Sequence, residues 1–323
     1  KRKRMALFGG ALSNMVKSRI GAIQTAIPVT SCRHLFAIAT SSYRTQHRKF
    51  GTGVDGHDIP HTEHVRFCNG TNGVGTLQLN RPDELDALSE TMAEEIVMLS
   101  KFFNKMDPMQ LRCLILTGST DKSFSVGRDL KISHLHETSE RRLKYLKLGG
   151  QAVQAIHDLE VPTIACVEGQ CTGWGLELAL ACDLRVAAPT ANMSFPETKL
   201  GIFPGAGGII LLQEALGHSG LVKELVFTGR EVSGTESATI GLVNHCSDSP
   251  LQKAYEMAAG ICLNGPLGVR AAKRVIHRTF DLDEEAALEY SRLVRQPLSA
   301  SADFEEALRA FTDGQRRPKF QGK

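Results

Sequence analysis

Gly173-Trp174-Gly175-Leu176-Glu177-Leu178-Ala179-Leu180-Ala181-Cys182-Asp183-Leu184-Arg185-Val186-Ala187-Ala188 is the stretch on which the fold turns. Glycines at 173 and 175 permit a tight turn with exposed backbone N–H groups. Gly173–Ala181 then reads as the start of a helix, and Leu184–Ala188 as a short strand. Upstream, Val161–Val167 is a continuous apolar run, the pattern of a strand buried on both faces. Strand, glycine turn, helix and strand in close succession predict an α/β unit whose strands lie parallel.

Working outward, the alternation repeats. Val74–Asn80 alternates as a strand and ends at Arg81-Pro82. Ser89–Lys105 predicts a helix with Met92, Ile96, Leu99 and Phe103 on one face and Ser89 as N-cap. Leu111–Thr117 is a second buried strand, Gly118–Gly127 a loop, and helical material follows to about Leu159. From about Leu211 the pattern is mostly helical, through Arg270–Phe280, Asp283–Arg295 and Phe304–Phe311. The expected fold is therefore an α/β body with a largely parallel sheet and a C-terminal helical extension. Residues 48–63, rich in Gly, His and Asp, read as a linker.

Composition bounds what the chain can do. At 323 residues and 42% hydrophobic, it can build one large core or two modest domains. No apolar run of ~18 residues suggests a membrane-spanning helix. The eight cysteines are scattered, without CxxC spacing or a nearby His pair, so reduced and mostly buried thiols are expected rather than a metal site. Asn69-Gly70-Thr71 and Asn192-Met193-Ser194 match the glycosylation sequon, a short pattern that arises by accident.

The net charge of +3 hides a split. Residues 1–54 hold ten Lys/Arg and no acid; the remaining 28 basic and 35 acidic residues leave the rest at −7. A body of that sign is a poor general nucleic-acid surface. The acid-free leader, with Met15, Ile20, Ile23 and Ile27 among its charges, has the composition of a mitochondrial transit peptide.

Three loops could carry chemistry: Phe124–Leu130, Glu168–Glu177 and Phe195–Gly208. Backbone N–H groups at a glycine turn opening a helix favour negative charge. Two such donors aimed at one point make an oxyanion hole. Taken separately, Glu177 is a first-turn acid that complements a helix dipole, and Glu197 is an acid after a helix-starting proline. No GxxxxGK[ST] is present, and Gly205–Gly208 has no GxGxxG frame, which disfavours nucleotide binding.

Together these loops resemble the signature segments of the crotonase (enoyl-CoA hydratase/isomerase) superfamily. The resemblance runs from about Arg66 to Phe320 and includes Gly175–Ala188, Glu197-Thr198-Lys199-Leu200 with Pro204–Gly208, Phe227-Thr228-Gly229-Arg230, and Arg317-Pro318-Lys319-Phe320. Its wording is closest to the mitochondrial branch containing methylglutaconyl-CoA hydratase. It implies a crotonase-type ββα spiral core over residues 55–255 and a helical trimerisation region over 256–323. It also implies hydration of a short or branched 2-enoyl-CoA, with isomerisation, methylglutaconyl-CoA hydration or RNA binding as alternatives. RNA binding would need a basic face, and Ser100–Asp121 offers only Lys101, Lys105 and Arg112.

Carried over, the resemblance makes Glu177 and Glu197 the acid/base pair and the N–H groups of Arg128 and Trp174 the oxyanion donors. Coenzyme A and substrate would lie along Asp86, Ala87, Leu88, Gly127, Asp129, Leu130, Lys131, Gly173, Pro196 and Gly205, with Lys319 reaching an adjacent subunit's coenzyme A. Leu148–His157 would line the acyl tail. Expected partners are an acyl-CoA and like subunits in a trimer or hexamer, in the mitochondrial matrix. Neither metal nor cofactor is implied; coenzyme A belongs to the substrate. Trp174 stands where the family has glycine, and Arg128 where it has a small residue. Two readings of the indole stay open, one narrowing the acyl site and one packing outward. The Arg128 side chain is expected to reach solvent or coenzyme A phosphates.

Overall fold

Strands β1 (Val65–Asn69) and β2 (Val74–Leu79) form a hairpin, and helix α1 (Glu90–Phe103) leads from it to β3 (Cys113–Thr117) and β4 (Ser123–Ser125). Helix α2 (Ser139–His157) connects to β5 (Thr163–Val167) and β6 (Gln170–Thr172), and α3 (Trp174–Leu180) to β7 (Leu184–Ala187) and β8 (Asn192–Ser194). There follow α4 (Gly208–Leu216), α5 (Ser219–Thr228), β9 (Val232–Ser233), α6 (Gly234–Thr239) and β10 (His245–Cys246). The chain ends in α7 (Pro250–Ile261), α8 (Pro266–Thr279), α9 (Glu284–Arg295) and α10 (Ala302–Thr312). This computed structural model describes residues 59–70, 72–130, 138–217, 219–314 and 316–323. The expected leader and Lys131 lie outside them.

The uninterrupted apolar runs have a simple cause. Leu114 and Leu116 of β3 point into one core cluster, while Cys113 and Ile115 point into another on the opposite face. β5 divides the same way, with Ala165 and Val167 on one side and Ile164 and Cys166 on the other. Side chains alternate along a strand, so covering both faces demands apolar residues at every position. The main sheet runs β1-β2-β3-β5-β7-β10, parallel except for the hairpin.

Reading along the chain, three of the main-sheet strands, β3, β5 and β7, are each followed by a short strand and a helix. The units β3-β4-α2, β5-β6-α3 and β7-β8-α4 repeat one ββα pattern. The short strands assemble a second sheet, β4-β6-β8-β9. This is the spiral that the resemblance implies. Sequence periodicity alone anticipated one sheet and left Gly118–Gly127 as a loop, although β4 lies within it. Three residues are too few for a period of two to register.

Ser89 caps α1 as predicted, accepting from the Met92 N–H. The boundary expected between residues 255 and 256 falls inside α7, whose Ala254 and Ala258 bury against the second core cluster. Helix α8 is fastened to the sheet by charge. The Lys273 ammonium, 8% exposed, pairs with Asp183 at 2.8 Å and donates to the Val161 carbonyl. Seven cysteines lie among the described residues; all are unbridged, and five are buried.

Candidate active site

The second sheet positions the site. β4, β6 and β8 pair in parallel, with Ser125 beside Cys171 and Thr172 beside Ser194. Their C-terminal ends therefore lie together, and that end of a parallel sheet is where open α/β proteins bind ligands. The three loops leaving those ends carry Arg128, Trp174 and Glu197. They are in contact: a methyl group on Gly127 would lie 3.0 Å from the Trp174 nitrogen. Trp174 is the first residue of α3, so its N–H has no intrahelical acceptor.

Glu177 sits one turn into α3 and is fully buried. Its Oε1 accepts from the N–H groups of Ala206 (2.8 Å) and Gly208 (2.7 Å), at the N-terminus of α4. A helix N-terminus stabilises a carboxylate. Burial raises the Glu177 pKa and outweighs those two hydrogen bonds, which pull it down. The other oxygen, Oε2, is buried without a protein partner. Gly208 is required here by space, because a Cβ would fall 2.6 Å from Glu177 Cγ.

Glu197 lies in a single 3-10 turn, Pro196–Leu200, opened by Pro196. Its Oε1 lies close against Gly173, where a Cβ would stand 2.8 Å away, and its Oε2 is buried without a protein partner. Its pKa is pushed up to about 7, first by burial and further by the charge of Glu177, against a lowering hydrogen bond from its own N–H. The two carboxyl groups therefore lie close enough to interact, each with one uncommitted buried oxygen. Such oxygens suit a water and a transferable proton.

The remaining predicted residues fall into two groups. Asp86, Ala87, Leu88, Gly127 and Asp129 form the support of the Arg128 loop. The Asp86 carboxylate accepts from the N–H of Arg81 and from the N–H and hydroxyl of Ser119. Leu88 donates to the Gly127 carbonyl and accepts from the Asp129 N–H, and Asp129 pairs with Arg81 at 2.9 Å. Leu130 and Gly205 are exposed. Lys319 is exposed on the C-terminal tail, where its N–H donates to Glu306.

Of the two open readings of the indole, the outward one is excluded, and the Arg128 side chain lies elsewhere than expected. The Trp174 indole packs inward, 5% exposed, edge-on to Tyr145 with ring centroids 5.2 Å apart. Arg128 does not extend into solvent; its guanidinium lies 4.6 Å from the centre of the Tyr145 ring, with Nε and Nη2 shielded. Sequence reasoning also missed the Ala206 and Gly208 donors. The glycine-rich opening of α4 was their only signal, and it does not say which side chain they serve.

The enoyl-CoA hydratase/isomerase family model matches residues 69–323. The human mitochondrial enoyl-CoA hydratase domain-containing protein 2 is 36% identical over 80% of this chain and 89% of its own length. Mouse mitochondrial methylglutaconyl-CoA hydratase is 32% identical over 94% of this chain and 97% of its own. The crystal structure of an enoyl-CoA hydratase from Bacillus anthracis superposes with a TM-score of 0.77 at 32% identity, covering 81% of this chain and all of that one. Matches of that extent, spanning both glutamate loops and the spiral core, make this chain a member of the enoyl-CoA hydratase/isomerase family.

Proposed function

We propose that the chain adds water across the 2,3 double bond of a 2-enoyl-CoA thioester. The observation carrying this reading is the pair of buried carboxyl groups, each with one uncommitted oxygen, beside two candidate oxyanion donors. The thioester carbonyl accepts from the N–H groups of Arg128 and Trp174, which makes Cβ electrophilic. Oε2 of Glu177 takes a proton from water as the water oxygen bonds to Cβ. The π electrons move to Cα, which takes the proton held by Glu197. Glu177 ends protonated and Glu197 ionised, and exchange with solvent resets the pair. The assignment follows the electrostatics: Glu177 keeps two backbone donors that favour its charge, whereas Glu197 holds its proton up to about pH 7.

A pH dependence follows. With Glu197 as the acid, kcat/KM for hydration is expected to fall above about pH 7, tenfold per pH unit, as that proton is lost. A profile flat from pH 6 to 9 would overturn the assignment of the acid. The same shift acts on stability. The folded state holds a proton that the unfolded chain has released above its ordinary value of 4.5. The contribution of Glu197 is therefore full below that pH and is lost as pH rises through about 7.

The acid-free leader and the mitochondrial relatives support an address in the mitochondrial matrix. Cytosolic retention of residues 1–54 fused to a fluorescent protein would count against it. Exposed Ile276, Phe280, Leu288, Leu293, Phe304 and Phe311 on the C-terminal helices support assembly as a trimer or a dimer of trimers. Sedimentation of the full chain at the mass of one subunit would exclude that assembly.

A further inference from the structure

The side chains of the two candidate oxyanion residues meet behind the backbone that serves the carbonyl. Trp174 and Glu177 are three residues apart on α3 and share a face of it. A substrate whose Cβ lies beside Glu177 therefore reacts within one helical turn of the indole. The ring fills the space between α3 and α2. At its far edge lies Gly149, where even a methyl group would stand 2.4 Å from Cη2 and 2.5 Å from Cζ3. Any larger residue at 149 would have to displace the ring.

The indole is also held from the side. Tyr145 meets it at an interplanar angle of 76°, an edge-to-face arrangement that stabilises aromatic pairs. The Arg128 guanidinium lies over the Tyr145 ring and 5.8 Å from the centre of the indole. The Tyr145 hydroxyl donates to the Leu88 carbonyl, and that same carbonyl accepts from the Asp129 N–H. Burial pushes the phenol pKa up to about 12, so the proton of this bond stays in place across the working pH range. Ring, cation and backbone are tied into one packed wall.

We propose that the Trp174 indole, seated on Gly149 and clasped by Tyr145 and Arg128, is the specificity-determining wall of the acyl site and restricts it to short-chain 2-enoyl thioesters. This inference rests on the hydratase reading above. Opening such a wall changes discrimination by roughly tenfold or more for each methylene group newly accommodated.

The test compares kcat/KM for crotonyl-CoA and trans-2-decenoyl-CoA in the full-length wild type and in Trp174→Gly. The wild type is expected to prefer crotonyl-CoA. The variant is expected to raise the decenoyl-to-crotonyl ratio at least about tenfold. Should Trp174→Gly fail to fold by circular dichroism, Trp174→Leu, smaller but still apolar, is expected to move the ratio in the same direction. An unchanged ratio in the folded variant, or a wild type that already favours decenoyl-CoA, overturns the wall. Absence of wild-type turnover on every enoyl-CoA would instead remove the hydratase reading.

Discussion

Full-length chain carrying Glu197→Gln is expected to hydrate crotonyl-CoA about 100- to 10,000-fold more slowly than wild type, with KM changed far less. Glutamine keeps the size of the side chain and can occupy the place beside Gly173. It cannot deliver a carboxylic proton to Cα. Glu177→Gln is expected to lose a similar factor for a different reason. Its amide oxygen can still accept from Ala206 and Gly208, so the local backbone stays in place. The amide nitrogen that replaces Oε2 cannot take a proton from water. Because the proposed step uses both groups at once, the double variant should be little slower than the worse single variant. Loss of the enoyl-thioester absorbance, followed with crotonyl-CoA and 3-methylglutaconyl-CoA, reads all of this. Wild-type rates in both single variants would remove the residue assignment.

The second large effect concerns stability. Asp183 closes α3 onto the sheet and anchors α8. Oδ2 accepts from the Thr163 N–H and hydroxyl and pairs with Lys273, and Oδ1 lies 3.1 Å from His277 Nε2. Burial pushes its pKa up, but His277, Lys273 and Thr163 pull it down further, leaving it below the usual carboxylate value. Asp183→Ala leaves a buried ammonium without its counter-charge, which costs about 3–5 kcal/mol in comparable cases. Out of a total near 5–15 kcal/mol, the urea midpoint should fall clearly. Adding Lys273→Met to Asp183→Ala should recover part of the loss, since the orphaned charge goes with it. A loss under about 1 kcal/mol for Asp183→Ala would mean that solvent reaches the pair and that α8 is not held by it.

Much of this was legible in the sequence. Continuous apolar runs marked the buried strands, since a strand covered on both faces admits no alternation. Ser89 announced the start of α1, because a capping hydroxyl acts on donors only two or three residues away. The loops holding Glu177 and Glu197 were legible as well, through glycines and a proline with local backbone requirements. All of these depend on short-range chemistry, which a linear string preserves.

The second sheet was not legible. Its strands are three residues long, and each is stabilised by a neighbour from another turn of the spiral. Nor did the sequence assign the Ala206 and Gly208 N–H groups to Glu177, about thirty residues away along the chain. The sequence by itself determined which residues are the candidates for the chemistry: Glu177, Glu197 and two glycine turns with N–H groups to spare. Only the tertiary structure decided how they are tuned and what packs around them. Burial and proximity raise the Glu197 pKa, and a glycine on α2 makes room for the Trp174 indole. Desolvation and packing arise between segments far apart in the chain, so they exist only once the spiral has closed.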